Sequence, residues 1–185
     1  MIDNVLREAE GKMQKAVEVL RRDLAGLRTG RASPALVERL QVEYYGTATP
    51  LNQLANVSVP EPRLLVIQPY DKSALGAIEK SILKSDLGLT PTNDGRVVRL
   101  AIPQLTEERR KELVKVARKK VEEGRVAVRN CRRDAHEHLN RLQKDKQVSE
   151  DEAKRAQERL QRITNEYIEE VDAVGGKKEQ EILEV

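Results

Sequence analysis

Three segments of this chain repeat apolar residues at alternating steps of three and four, and no other feature constrains its fold as strongly. The segments lie within residues 2–27, 106–146 and 149–174. Such spacing forms the buried seam of a helix that packs against other helices. Because short turns join neighbouring helices of a bundle, the pattern predicts an elongated, antiparallel three-helix bundle. The seam of the second helix comprises Ala117, Val121, Gly124, Val128, Cys131, Ala135, His138 and Leu142.

Signals at the helix ends support this division. Gly30 follows the first apolar stripe, where a glycine commonly ends a helix. Thr106 is a candidate N-cap for the second helix, and Ser149–Glu152 has the spacing of a capping box for the third. At 1.5 Å per residue, the second helix is predicted to be roughly 60 Å long. The Gly175–Gly176 pair is expected to loosen the end of the third helix.

The middle of the chain has a different character. Six of the seven prolines lie between residues 32 and 91, and the apolar period falls from 3.6 toward 2. Asp71 is a candidate N-cap for one principal helix in this region. The fold class is therefore α+β, with a discontinuous bundle (1–30 and 106–185) and an inserted small α+β domain (31–105). Strands are predicted near residues 40–44, 47–49, 56–59, 63–68 and 96–102.

Two stretches of chain connect the inserted domain to the bundle, near residues 31–34 and 102–105. Both contain proline or lie beside glycine. Thin connections of this kind are typical of a hinge between domains. The predicted hinge residues are Gly30, Arg31, Pro34, Pro103, Gln104 and Leu105.

Basic residues form a row on the second helix. Arg125, Arg129 and Arg132 are spaced i, i+4 and i+7 on one face, Arg133 extends that face, and no acidic residue interrupts the run. Guanidinium groups on a rigid helix suit phosphate oxygens. Residues 106–146 carry a net charge of +6 and residues 147–185 a net charge of −5. The alternatives are therefore a solvated helix face, or a row neutralised by the third helix.

Composition excludes several functions. The chain has no Trp or Phe and only four Tyr, so base stacking on aromatic platforms is disfavoured and phosphates are the expected target. Cys131 is expected to pack in the seam, and His138 to lie on the seam as a packed or edge histidine, whereas His136 is expected to face solvent. We find no catalytic constellation, metal site or cofactor motif, which predicts a protein that is not an enzyme. No apolar stretch approaches 18 residues, so no membrane span and a cytoplasmic location are expected.

Six motifs, in order along the chain, resemble those of the ribosome recycling factor family. The resemblance covers essentially the whole chain, although Cys131 stands where the family usually has an aliphatic residue. The motifs are Leu27–Pro34, Val42–Gly46, Thr49–Ala55, Ser85–Leu89, Pro103–Lys111 and Arg125–Asp134.

The resemblance implies an L-shaped monomer with a small β/α/β domain at its elbow. It implies binding to the post-termination 70S ribosome and, with elongation factor G and GTP, separation of the subunits. GTP hydrolysis would belong to the elongation factor. The implied contacts with large-subunit rRNA are Arg125, Arg129, Arg132 and Arg133, and a second basic cluster at the elbow would comprise Arg28, Arg31, Arg109 and Arg110. For Arg28 and Arg31 the alternative is a helix-terminal cation or an ion pair with Glu107 or Glu108.

Two other classes of function stay open at this point. A coiled-coil scaffold would continue its seams between chains and bind an acidic protein through the arginine row, so a monomer would argue against it. A DNA-binding helical protein would show a steep dependence on salt. However, the sequence offers no helix-turn-helix or zinc finger to read a groove.

Overall fold

The computed structural model describes residues 1–184 and has the predicted α+β architecture. Three long helices form the bundle: α1 (Ile2–Ala25), α4 (Glu107–Lys144) and α5 (Glu150–Leu183). Contacts divide the chain into two compact units. Residues 1–24 group with residues 114–180, and residues 25–113 group with the last residues of the chain, from Glu181 onward. The functional domain limits at residues 30 and 105 stay a prediction.

The seams are buried inside the chain, so each helix hides its own apolar stripe against the other two. Met13, Val128, Leu139 and Leu160 are almost completely buried. Thr164 is also buried, and its hydroxyl donates to the carbonyl of Leu160 at 2.8 Å. A hydroxyl can be buried on a helix because a carbonyl oxygen of the preceding turn accepts its hydrogen bond.

The predicted caps of the two longest helices are confirmed. The Thr106 hydroxyl accepts from the backbone N–H of Arg109 at 3.1 Å. Ser149 and Glu152 form a reciprocal capping box, in which the Ser149 hydroxyl accepts from the Glu152 N–H at 3.1 Å. These bonds satisfy N–H groups that have no partner within the helix.

Three expectations about the long helices are wrong. His138 is exposed and Leu139 takes the buried position, because steps of four and then three between Ala135 and Leu142 bury the apolar residue, whereas steps of three and then four would bury the histidine. His136 is correspondingly half-buried, and its Nδ1 lies 2.8 Å from the Gln157 side-chain oxygen. The helix also continues without a break through Gly175 and Gly176.

Gly175 is buried and faces α4. A Cβ built on it would overlap Cγ2 of Val121. Gly176, its neighbour, has no atom within 4 Å of the corresponding position. The first glycine therefore permits a close approach of α5 to α4, and packing there outweighs the low helix propensity of glycine.

The inserted domain contains two antiparallel sheets. Strands β1 (Gln41–Tyr44) and β2 (Thr47–Pro50) form a hairpin, and the second sheet has the order β3-β4-β6-β5. Tyr45 and Gly46 both have positive φ, as a two-residue turn between twisted strands requires. The strands of the second sheet are β3 (Ala55–Glu61), β4 (Leu64–Pro69), β5 (Pro91–Asn93) and β6 (Val98–Ala101).

One principal helix, α3 (Leu75–Lys84), covers the sheets. A 3₁₀ turn at Lys72–Ala74 leads into it, and the Asp71 carboxylate caps this turn by accepting from the Ser73 N–H at 3.0 Å. The predicted cap at Asp71 is thus confirmed. Leu83, near the end of α3, is an exposed apolar residue. A second 3₁₀ turn (Pro34–Leu36) and the single-turn helix α2 (Leu51–Leu54) were not predicted. The core side chains with no exposed surface are Val37, Val42, Leu51, Leu65, Ile67, Ile78, Ile82, Val98 and Leu100.

Candidate nucleic-acid interface

Helix α4 positions the predicted arginine row. It runs for 38 residues without interruption, which corresponds to about 57 Å of rigid rod. Its seam faces α1 and α5, so the side chains of the row lie along the border between the buried stripe and solvent. In the structure, two of the four arginines contact helix α5 and the other two are exposed to solvent.

Arg125 and Arg132 bind helix α5. Two guanidinium nitrogens of Arg125 lie 2.8 and 2.6 Å from Asp172 Oδ1, and a third lies 3.0 Å from Glu122. These two carboxylates, Glu122 first, raise the pKa of Arg125. Arg132 donates from Nε to the Gln161 side-chain oxygen at 2.8 Å. Some of the N–H donors of both arginines are therefore already hydrogen-bonded within the bundle.

Arg129 and Arg133 point outward. The Arg129 side chain is 58% exposed, and the one ion pair that it forms with a described residue is a long contact of 3.5 Å with Glu122. Arg133 is exposed and makes no ion pair or hydrogen bond with any described residue. These two side chains present free N–H donors on a fixed scaffold, which is the arrangement that suits bidentate binding of phosphate.

The acids that reach the row come from outside it. The absence of an acidic residue between Arg125 and Arg133 suggested four free cations, but Glu122 lies one turn earlier on the same face and Asp172 comes from α5. Neutralisation by the third helix, one of the alternatives, is thus correct for Arg125 and does not extend to Arg133. A linear run of charges cannot show the second contact, because tertiary packing brings Asp172 to Arg125.

Arg118 is a residue that sequence reasoning missed. Its guanidinium lies 2.6 Å from Glu179, which raises the pKa of Arg118. Arg118, Arg125 and Arg132 are spaced by seven residues, so each meets α5 at the same position of the repeat. This heptad spacing was the available signal that these arginines join two helices.

The elbow cluster is built differently. Arg28 donates from a terminal guanidinium nitrogen to the carbonyl oxygen of Pro103 at 3.0 Å, which ties one join of the inserted domain to the other. Burial lowers the pKa of Arg28, and the nearby charge of Arg109 lowers it further. The Nε groups of Arg28 and Arg110 are buried without a hydrogen-bond acceptor among the described residues. Like charges and unsatisfied donors gathered in this way favour binding of an anion.

Among residues 1–184 no ion pair joins Arg28 or Arg31 to Glu107 or Glu108, the alternative that the sequence left open. Arg109 pairs with Glu112 at 2.8 Å, and Glu107 lies 3.8 Å from Lys111. Arg31 is exposed and borders a cavity of about 210 Å³. The cavity is also lined by Gly30, Pro62, Arg63, Gln104, Arg110, Glu181 and Glu184, so Arg63 is a cation that local sequence gave no reason to include.

The predicted hinge residues all lie at the two joins. Pro34 begins a 3₁₀ turn that the Ser33 hydroxyl caps, and Leu105 is buried. The Ala32 N–H donates to the Pro62 carbonyl at 2.7 Å, so the first join is held against the second sheet by the loop that precedes β4. A hinge role for these residues stays a prediction.

Other chemistry has little support. Among residues 1–184 no group of three or more His, Cys, Asp or Glu side chains is placed to hold a metal ion. Cys131 is half-buried, and burial raises the pKa of its thiol, which disfavours the reactive thiolate. No helix in the described part of the chain is long and apolar enough to cross a membrane.

The fold and charge together define a class of protein: a basic helical bundle that carries an inserted α+β domain and presents free arginines on one rigid helix. The family model for ribosome recycling factor matches residues 20–183. The ribosome-recycling factors of Carboxydothermus hydrogenoformans and Heliobacterium modesticaldum are 63% and 62% identical to this chain, over the full length of both partners. The chain belongs to the ribosome recycling factor family.

Solved structures agree with this assignment. The solution structure of a ribosome recycling factor matches with a TM-score of 0.79 at 49% identity, covering 100% of this chain and 98% of the other. A structure of the T. thermophilus factor, bound with E. coli elongation factor G to the E. coli post-termination complex, matches with a TM-score of 0.70 at 54% identity over all of both chains. The predicted family and fold class are thereby confirmed.

Proposed function

We propose that this chain binds the post-termination 70S ribosome in the cytoplasm and, with elongation factor G and GTP, splits it into subunits, so that the ribosome is released from mRNA. The family match over nearly the whole chain carries this proposal. The related T. thermophilus factor, bound together with elongation factor G to a post-termination complex, supports the same partners for this chain. The factor acts as a monomer and is not itself an enzyme, because GTP hydrolysis belongs to the elongation factor.

The arginine row anchors the factor on large-subunit rRNA. Arg129 and Arg133 contact phosphate oxygens, since their guanidinium groups are the exposed pair of the row. Arg125 and Arg132 contribute one edge of the row and hold α4 against α5, which fixes where the other two point. Recognition is of backbone shape rather than base sequence, because the row offers donors and no stacking surface.

The elbow cluster supplies a second contact with rRNA, through Arg28, Arg31, Arg109 and Arg110. The two joins beside it act as a hinge for the inserted domain. Elongation factor G moves this domain while the bundle stays anchored, and the stiff rod transmits the movement to a contact between the subunits.

The coiled-coil scaffold finds less support. Its seams would have to continue between chains, whereas the apolar seams of α1, α4 and α5 are buried within one chain. No observation favours the DNA-binding alternative.

Co-sedimentation with vacant 70S ribosomes tests the anchor. We expect the double variant Arg129→Ala/Arg133→Ala to bind at least tenfold more weakly than wild type, with a shallower dependence of affinity on salt because fewer counterions are released. Arg118→Ala is the matched control, since it removes an exposed arginine of the same helix that is paired with α5, and it is expected to bind almost normally. Equal binding by the double variant and wild type would show that the anchor lies elsewhere, and the next candidate would be the cluster around Arg31.

A cross-link at the elbow tests the hinge. Gly30→Cys and Gln104→Cys, combined with Cys131→Val, place one thiol in each join, and both native residues border the same cavity. After reaction with a short bismaleimide, we expect ribosome binding to persist and splitting by elongation factor G, followed by light scattering, to stop. The same variant without cross-linker is the control. Normal splitting by the cross-linked protein would make movement at the elbow unnecessary.

A further inference from the structure

A groove on the inserted domain shares no lining residue with the arginine row or the elbow cluster. It runs between strand β1 and helix α3 and has a volume of about 560 Å³. The helix residues that line it follow at steps of three and four or directly adjoin, so they form one face of α3 over about 12 Å. The lining residues are Leu40, Gln41, Glu43 and Gly46 on the strand side and Ala77, Lys80, Ser81, Lys84 and Ser85 on the helix side.

The strand side of the groove is an open sheet edge. Among residues 1–184, β2 is the one strand that pairs with β1, in a two-stranded sheet. Peptide groups of successive residues in an antiparallel strand point alternately to the two edges. The carbonyl of Leu40 accepts from Leu51 N–H at 2.9 Å on the β2 side, and the two-residue turn closes the hairpin with a hydrogen-bonded pair, so Val42 also points toward β2. Gln41 and Glu43 therefore direct their N–H and C=O groups to the opposite edge, where no strand of the described part of the chain lies.

The helix side of the groove carries uncompensated positive charge. Lys80 and Lys84 are exposed and lie one turn apart. Neither has a carboxylate within ion-pair distance among residues 1–184, and Glu43 on the strand side has no basic group within that distance. The side chains of Gln41 and Glu43 point away from the buried Val42, toward the solvent face of the hairpin.

We propose that this groove binds an extended acidic peptide segment of a partner protein, which adds as a third strand to the free edge of β1. Main-chain hydrogen bonds to Gln41 and Glu43 would supply affinity, and carboxylates on the helix-facing side of the peptide would meet Lys80 and Lys84. A groove between an edge strand and a helix is a recurrent geometry for this mode of binding. An RNA segment matches the site less well, since it has no regularly spaced N–H and C=O groups to pair with the strand. The inference does not rest on the proposed ribosome function.

An NMR titration of the full ¹⁵N-labelled chain tests the proposal. The probe is an acetylated and amidated octapeptide of alternating glutamate and threonine, which presents all its carboxylates on one side when extended. We expect the amide signals of Gln41 and Glu43 to shift, and Lys80→Glu/Lys84→Glu to weaken binding at least tenfold. A matching peptide of alternating lysine and threonine is expected not to bind.

Two proline variants separate strand addition from simple charge attraction. Glu43→Pro removes a donor from the free edge, where the mechanism needs it, and is expected to weaken binding at least tenfold. Ala48→Pro is the matched control, because Ala48 is the register partner of Glu43 and its peptide group points to the far edge of the hairpin. Its binding is expected to stay within twofold of wild type, and thermal unfolding of both variants establishes that they are folded.

Three outcomes would overturn the proposal. The first is no binding of the acidic peptide at millimolar concentration. The second is equal binding by Glu43→Pro and Ala48→Pro, or undiminished binding of a peptide whose alternate amides are N-methylated, since either result would remove the main-chain hydrogen bonds from the mechanism. The third is tighter binding of an eight-nucleotide uridine RNA, lost in the lysine variant but kept in Glu43→Pro, which would make the groove a phosphate site.

Discussion

The contact between Gly175 and Val121 allows a sharp test of how the bundle is held together. Gly175 is buried in α5 and faces α4, and any added Cβ would overlap a methyl group of Val121. Gly176 is exposed, and a Cβ added there would meet no atom within 4 Å. Substituting alanine therefore adds one Cβ atom to the same helix in both variants. At Gly175 the added atom meets a packed neighbour, and at Gly176 it meets solvent.

The expected magnitudes follow from two opposing effects. Replacing glycine by alanine inside a helix stabilises it by about 0.8–1 kcal/mol at either position. At Gly175 this gain is opposed by an overpacking cost of about 1–3 kcal/mol, because Val121 is itself buried and has a stiff, branched side chain. Gly176→Ala is thus expected to be more stable than wild type, and Gly175→Ala equally stable or less stable. The difference between the two variants cancels the propensity gain and leaves about 1–3 kcal/mol from packing alone.

Thermal and urea unfolding, followed by far-ultraviolet circular dichroism, would measure this difference. For a chain of this size, each kcal/mol shifts the unfolding midpoint by roughly 2–4 °C. The double variant Val121→Ala/Gly175→Ala provides the internal check. Removing two methyl groups from Val121 makes room for the new Cβ, so the double variant should be more stable than the sum of the two single changes predicts.

An equal gain of stability in Gly175→Ala and Gly176→Ala would refute this account of the packing. That result would mean that the two helices separate at no cost and that the close approach is not a structural requirement. Strictly additive single and double changes would refute it in a different way, since they would locate the cost of Gly175→Ala outside the contact with Val121.

Three further predictions concern single interactions. The Asp71 carboxylate, by accepting a hydrogen bond at 2.8 Å, raises the pKa of Tyr44 to about 12. The folded pKa of Tyr44 lies above its ordinary value, so this contribution to stability is present below about pH 10 and disappears as the pH rises toward 12. It should be absent in Asp71→Asn, where the latest step of a tyrosinate absorbance titration should move to lower pH. In a double-mutant cycle of Arg125→Ala and Asp172→Asn, we expect a coupling free energy of about 0.5–1 kcal/mol in urea unfolding. The coupling is small because both side chains are a third or more exposed and solvent screens the pair, and it should be smaller still in high salt. A salt-independent coupling would contradict this account. Ser149→Ala should destabilise the chain by about 1 kcal/mol in the same assay, and Ser149→Asp should restore most of the loss; equal losses in both would show that the cap hydroxyl is not what matters.

The sequence predicted long-range architecture better than local detail. Three apolar stripes were enough to predict the bundle, because each stripe must pack against another helix and the chain itself brings all three helices together. The caps at Thr106 and Ser149 were equally predictable, since each depends on residues within one helical turn. The single-turn helix α2 and the 3₁₀ turn at Pro34 were missed because tertiary contacts, rather than local propensity, hold such short segments.

The errors within the helices have a common physical cause. Two adjacent glycines predicted a loosened helix end, but at Gly175 the missing side chain is what lets α5 approach α4. Alternating steps of three and four placed His138 on the seam, but the adjacent apolar Leu139 packs inward instead. In both cases propensity or spacing was judged on one helix alone, whereas the neighbouring helix decided the outcome.

Packing against a neighbouring helix also explains why the four arginines of the row differ. From α4 alone, four arginines look equivalent, whereas α5 engages Arg125 and Arg132 and leaves Arg129 and Arg133 exposed. An arginine side chain that has no partner within the protein loses considerable rotamer entropy when it binds a phosphate. A rigid row therefore needs some members fixed within the protein so that the exposed members project from a defined surface. The close approach at Gly175 lies within one turn of the α5 residue that binds Arg125, so the packing that stabilises the bundle also sets the position of its proposed rRNA contact.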